Sequence, residues 1–166
     1  MKQYSLTSFV AHLAEMQVTT ILALRAGLHV VASHIEKDAK EKIGHYQDAT
    51  GPFGAWEPLA ESTEDEKARL GYPTDAPLLR SGDLRDSIQH EVAGLEAVVG
   101  SKSEIAAYQE FGTDRIPPRP FIGPAAFENK DKIQRILGEA TVIGLSKGGS
   151  ILSGLYDQEI RAVENK

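Results

Sequence analysis

The residues of this chain that could do chemistry are few and scattered. Gly144-Leu145-Ser146-Lys147-Gly148 matches G-x-S-x-G, the pattern that presents a serine nucleophile on a sharp strand-to-helix turn. That chemistry needs a histidine later in the chain, and all five histidines (His12, His29, His34, His45, His90) precede Ser146. A helix C-terminus with a glycine stop accounts for the same residues. His29 and His34 are five apart, which puts them on different faces of a helix, and no H-E-x-x-H occurs. Glu61, Glu64, Asp65 and Glu66 could serve as paired acid–base groups or bind a divalent cation, but they sit where a helix is expected to begin and the helix dipole favours negative charge. Gly51 and Gly54 lack the G-K-[S/T] ending of a phosphate loop. There is no cysteine, which removes disulfides, thiolate zinc sites and thiol catalysis together. No enzyme activity, cofactor or metal is expected.

The segment Glu104–Ala125, EIAAYQEFGTDRIPPRPFIGPA, is better suited to contact than to catalysis. A short helical pattern carries Ile105, Ala106, Tyr108 and Phe111, with Tyr108 and Phe111 expected in the core, and it stops at Gly112. Pro117, Pro118, Pro120 and Pro124 then fix φ and withhold donors, so the arm is stiff and cannot be a central strand. Arginine and aromatic side chains are frequent interface anchors. Arg115, Pro118, Arg119, Pro120 and Phe121, with Trp56 and Phe53 from an earlier loop, are the expected subunit-interface residues.

The elements that must position this arm follow from periodicity. Leu6, Val10, Leu13, Ile21, Leu24, Leu28, Val31 and Ile35 fall mostly three, four or seven apart, and Phe9, Met16 and Thr20 widen the same stripe. That spacing predicts a helix from about Leu6 to Ile43, stopped by Gly44, with either a break at Gly27 or a part that packs on a neighbouring subunit. Residues 44–60 read as an irregular loop that could order on contact. Glu61–Leu70 reads as a short helix with a Thr63/Glu66 capping box. Ser81-Gly82-Asp83 is a turn. Ser87–Ala93 and Glu96–Ser101 read as two strands around a glycine-bearing turn at Ala93-Gly94-Leu95. Ala125–Leu137 returns to helical spacing, and Ile151–Val163 is a last helix or a poorly ordered tail. The fold class is α+β: a small antiparallel sheet packed against the long N-terminal helix and a second helix after the proline-rich arm. One domain spans 1–140, with a loop-rich insertion at 44–77, and 141–166 is a C-terminal extension.

The formal charge of −6 argues against sequence-independent nucleic-acid binding, which needs clustered cations. No unbroken apolar run approaches the roughly 18 residues of a membrane span. The N-terminus shows no signal-peptide pattern, so the protein is expected to be made and kept in a cytoplasm, without membrane or small-molecule partners.

Three motifs resemble one family. Ala107–Thr113 with Ile116–Ala125 is similar to the "Y-x-E-F-G-T … x-P-x-R-P-F-x-x-P-A" signature of tailed-phage neck proteins, the head–tail joining, tail-completion or virion-morphogenesis proteins. Trp56-Glu57-Pro58-Leu59 followed by the Ser62/Thr63 helix resembles the family's "W-x-P-L-x-x-x-T" run, and Pro77–Ile88 resembles its "P-L-L-x-[ST]-G-x-L-x-x-S-I" turn and strand. The resemblance covers about residues 6–140; the segment 141–166 matches no pattern of the family. It implies a structural virion protein of a phage or prophage, placed at the head–tail interface. Its subunits would form a homo-oligomeric ring, often of six, joined to connector or neck proteins and to the tail tube or tail terminator. Two other readings stand beside it: a prophage-encoded regulatory or adaptor module, and a small serine hydrolase using Ser146.

Overall fold

The computed structural model describes residues 5–146. In chain order they form α1 (Leu6–Lys42), α2 (Glu61–Arg69), a short α3 (Asp83–Asp86), strands β1 (Ile88–Ala93) and β2 (Glu96–Ser101), α4 (Glu104–Phe111), α5 (Ile122–Glu128) and α6 (Lys130–Ser146). The strands pair as a two-stranded antiparallel hairpin turning at Gly94, whose φ is +60°. This is the α+β arrangement expected from the sequence. The boundary expected at residue 140 falls inside α6.

The helix α1 is a single rod of 37 residues, about 55 Å long at 1.5 Å per residue. It does not break at Gly27. That glycine is buried, and a Cβ on it would lie 3.2 Å from the Ala140 Cβ and 3.4 Å from the Leu137 Cδ2. It is small because another helix passes close by, not because the backbone turns. Lys40 and Lys42 occupy the last turn, as the dipole favours. The helix also holds an 18-residue window of mean hydropathy 1.4, long and apolar enough to span a membrane by length and composition. Thr, His and Gln interrupt the stretch, so it holds no unbroken apolar run.

The described chain divides into two compact units. The first holds residues 5–33, the hairpin turn 92–97 and residues 131–146. Its centre is α1 against α6 running antiparallel. Ala23 and Val30 of α1 and Ile136 and Ala140 of α6 are buried. Gly144 sits so close to α1 that a Cβ there would lie 2.4 Å from the Thr20 Cα. The Thr19 hydroxyl donates to the Gly144 carbonyl at 2.8 Å. Small residues on both helices allow this approach.

The second unit holds residues 34–91 and 98–130. Ile35, Ala39 and Ile43 of α1, Ile88 of β1, Ala106 of α4, and Phe121 and Ala125 form its core with Trp56. The strand alternation is as expected, with Ile88 buried and Gln89 and Glu91 exposed. The helical stretch after the arm is two helices, parted at Asn129, whose buried side chain donates to the Ala125 carbonyl at 2.8 Å and also reaches Asp38. The α2 helix starts at Glu61 with Ala60 as its cap and no side-chain cap, so the expected Thr63/Glu66 box is not formed; Thr63 lies inside the first turn. Glu61 and Glu64 occupy that turn, and Glu66 pairs with Arg80 at 2.8 Å.

Replacing Gly144 by Ala tests the helix contact. A methyl group improves helix propensity by about 1 kcal/mol, but here it must push α1 and α6 apart, at about 1–3 kcal/mol. The expected outcome is a lower thermal midpoint followed by circular dichroism, although the substitution favours helix.

Candidate assembly surface

The proline arm folds back onto its own unit and is locked there by three groups. Glu110, at the end of α4, accepts backbone amides from Phe121 (2.8 Å) and Ile122 (3.0 Å) on one carboxylate oxygen and from Gly123 (2.8 Å) on the other. These amides open α5 and have no partner within it, so a carboxylate suits both their hydrogen-bonding need and the helix dipole. Arg119 donates to the carbonyl of Glu57 (3.3 and 3.0 Å) and to that of Pro58 (3.1 Å). The indole N–H of Trp56 donates to the Pro120 carbonyl at 3.0 Å.

Local geometry delivers the chain to these contacts. Gly112 has φ +74°, and a Cβ there would press at 3.0 Å on the Ile116 carbonyl and on Pro118. Thr113 and Ile116 then pair through their backbones, and the Thr113 hydroxyl accepts from the amides of Arg115 and Ile116. The Arg119 amide returns to the Gln109 carbonyl at 2.6 Å. Tight turning and proline stiffness together fold the arm against α4.

The expected interface residues therefore separate into two groups. Phe121 is fully buried, Arg119 is 7% exposed, and Pro120 and Trp56 are buried as well. Their surfaces are used inside the unit. Phe53 is half-buried, its ring edge-on to Phe127 (centroids 6.4 Å apart) and close over Gly123. Arg115 and Pro118 face outward. Tyr108 and Phe111, expected in the core, are 48% and 81% exposed; Ala106 is the buried residue of α4. With Ile105, also exposed, they make an apolar outer face on α4 that the sequence reading assigned to the inside. A helix of eight residues allows either face to be the buried one.

The 44–60 loop is pinned rather than loose. Thr50 and Phe53 form an isolated bridge, the Trp56 amide donates to the Gln47 carbonyl at 2.9 Å, and the Leu59 amide donates to the Tyr46 hydroxyl at 3.1 Å. The turn at 81–83 joins the same unit. Gly82 has φ +98°, and the Ser81 hydroxyl donates to Asp83 at 2.6 Å. Between the turn, the loop and the arm lies a cavity of about 700 Å³. Leu59, Leu84, Ile105 and Ile116 line it, with Arg80 and Arg115 beside them and Leu78, whose φ of +62° is unusual for a leucine.

No group of three or more metal-ligating side chains occurs among the described residues. Ser146 is on the last turn of α6, its hydroxyl against the Ile143 carbonyl at 3.3 Å, on a helix rather than at a strand-to-helix turn. Gly148 lies outside the described residues. The titratable centre of the second unit is Glu36, bonded to Lys40 and, at 2.5 Å, to His90 Nδ1. Burial opposes its charge, but the hydrogen bonds from Lys40 and His90 outweigh it and hold the carboxyl below its ordinary value. Burial is also the main cause that lowers Lys67, which donates to the Ala76 carbonyl at 2.5 Å.

The family model for phage virion morphogenesis matches residues 5–141, most of the chain, and takes in α1, the hairpin, the arm and the first two thirds of α6. The chain belongs to the phage virion morphogenesis family. No curated protein and no solved structure matches it. Membership gives it a structural or morphogenetic role in a phage particle. In this member of the family, the Glu110, Arg119 and Trp56 positions of the sequence motifs are the three that lock the arm.

Two outcomes follow. Glu110→Ala, which leaves three amides without their acceptor, and Arg119→Ala each lower stability by about 1–3 kcal/mol in denaturant titrations. Arg119→Lys restores little of the loss, because one ammonium cannot reproduce the planar fork. Glu36 stabilises the fold above its unfolded pKa near 4.5, and that contribution disappears as pH falls through the lower folded value. Glu36→Gln therefore shows a smaller acid loss of stability below pH 4.5 than the unsubstituted chain.

Proposed function

We propose that this chain is a structural virion protein that forms a ring at the head–tail junction during completion of a phage or prophage particle. Its neighbours in this reading are connector or neck proteins on one side and the tail tube or tail terminator on the other. The family match over residues 5–141 carries the reading. The geometry supports it: the motif residues are used to stiffen a unit, and apolar and cationic groups remain outside. A closed ring joins one face of each copy to a different face of the next. The outer face of α4 (Ile105, Tyr108, Phe111), continued by Arg115 and Pro118, offers one such face. The role is one of contact and not of catalysis.

The cavity beside Arg80 and Arg115 favours one other reading, an adaptor module that grips an apolar residue flanked by acidic groups. Size separates the two. The double variant Tyr108→Asp, Phe111→Asp is expected to keep its melting curve within about 0.5 kcal/mol, since both side chains are exposed. It is expected to lose ring formation, read by light scattering alone and with phage neck partners added. A chain that stays monomeric in both settings, with or without the substitutions, would remove the ring reading.

A further inference from the structure

The cavity of about 700 Å³ in the second unit carries more positive charge than its own carboxylates balance. Lys67, Arg80, Arg115 and Arg119 line it with only Glu57 and Asp83 against them, in a chain whose formal charge is −6. Arg80 is paired with Glu66. The other three cations have no carboxylate partner among the described residues. Lys67 is buried, and its ammonium donates to the Ala76 carbonyl. Arg119 is buried and donates to the carbonyls of Glu57 and Pro58. Carbonyl dipoles satisfy these donors but leave the net charge in place, so the cavity keeps a positive potential. Arg115 is exposed, and its guanidinium has no hydrogen-bond or ion-pair partner among the described residues. A neutral group is left over as well. Gln109 lines the cavity one turn after Ile105 on α4, and its Oε1 is buried with no hydrogen-bond partner among the described residues. Such an acceptor has given up its water without gaining a donor. Half-buried Leu59, Leu84 and Ile116 supply apolar wall.

We propose that this cavity holds an extended acidic segment of a partner protein, with one apolar side chain against Leu59, Leu84 and Ile116, a neighbouring aspartate or glutamate on Arg115, and the segment's backbone on Gln109. Complementarity of three kinds names this occupant. Cations without counter-ions call for a carboxylate, which the free guanidinium of Arg115 can fork with two parallel hydrogen bonds. The orphaned amide of Gln109 calls for a peptide bond, which offers both an N–H and a carbonyl and so complements either orientation of that amide. The apolar wall calls for a side chain to cover it; a bare phosphate would meet the cations and leave the wall and Gln109 as they are. The volume lies within the roughly 300–1,000 Å³ of ordinary ligand pockets, room for a few residues of extended chain. The inference rests on the reading of this cavity as a grip for another chain and names how that chain is recognised; it does not depend on the ring.

The probe is a mixture of acetylated, amidated pentapeptides with leucine fixed at the centre and the other positions varied, passed over the immobilised full chain. Aspartate and glutamate next to the leucine are expected to be retained at least threefold above lysine and arginine. Arg115→Glu, whose side chain is exposed and has no contact to lose, is expected to abolish that preference. No retention, no acidic preference, or a preference that survives Arg115→Glu overturns the proposal. The best-retained peptide is then titrated in solution. Gln109→Leu is expected to weaken it at least tenfold while the melting temperature holds or rises, because the substitution removes an unsatisfied buried acceptor. A lower melting temperature overturns the proposal, since Gln109 would then be holding the fold. Unchanged affinity overturns the backbone readout and leaves the broader grip standing, which tells the two failures apart. Tyr108→Asp with Phe111→Asp is expected to leave the affinity within twofold; a tenfold loss moves the peptide to the outer face of α4 and overturns the proposal. Displacement by an equal concentration of sodium phosphate overturns it in favour of a simple anion site.

Discussion

The second unit depends on one carboxylate. Glu110 closes α4, and its two oxygens take the three amides that open α5. This single acceptor joins the end of one helix to the beginning of another across the proline arm. Once that closure is made, Phe121 is driven into the core and Arg119 is turned toward the loop carbonyls of Glu57 and Pro58. The loop in turn supplies Trp56, whose indole returns to Pro120. Each contact positions the donor of the next. A buried guanidinium facing carbonyl dipoles is tolerable only because the donors that point inward are satisfied.

Much of the scaffold could be read directly. The stripe from Leu6 to Ile35 specified α1, although only its later part, Val31 and Ile35, is buried, and the alternation of Ile88, His90 and Val92 before Gly94 specified the first strand of the hairpin, where burial on one face leaves a period in the sequence. What escaped was the side of the arm that faces in. Arg119 and Phe121 have the same residue types whether they meet a neighbour or their own loop. Their partners are backbone carbonyls and amides, and those carry no sequence identity. Glu110 was hidden for the same reason. Tyr108 and Phe111 were misplaced because eight helical residues hold too few turns to mark an inner face. A break at Gly27 stood as one of two readings because a glycine that admits a neighbouring helix and one that interrupts its own look alike in one dimension.

The molecule separates two uses of apolar surface. In the first unit, α1 and α6 meet through small residues, Thr20, Ala23 and Gly27 against Ala140 and Gly144, which set a short distance between helices. Large apolar side chains on the N-terminal half of α1 and on the outer face of α4 remain outside. Stability comes from this close approach, from the buried Phe121, Trp56, Ile88 and Ile136, and from hydrogen bonds to the backbone. The bulky groups best suited to recognition are left unspent.

The prolines of the arm carry a further consequence. Pro117, Pro118 and Pro120 present no amide to a passing strand. Copies of a particle protein crowd together at high local density, where any free backbone ladder would invite sticky, unlimited growth. Backbone without donors cannot extend a β-ladder, so no strand can be added along these positions.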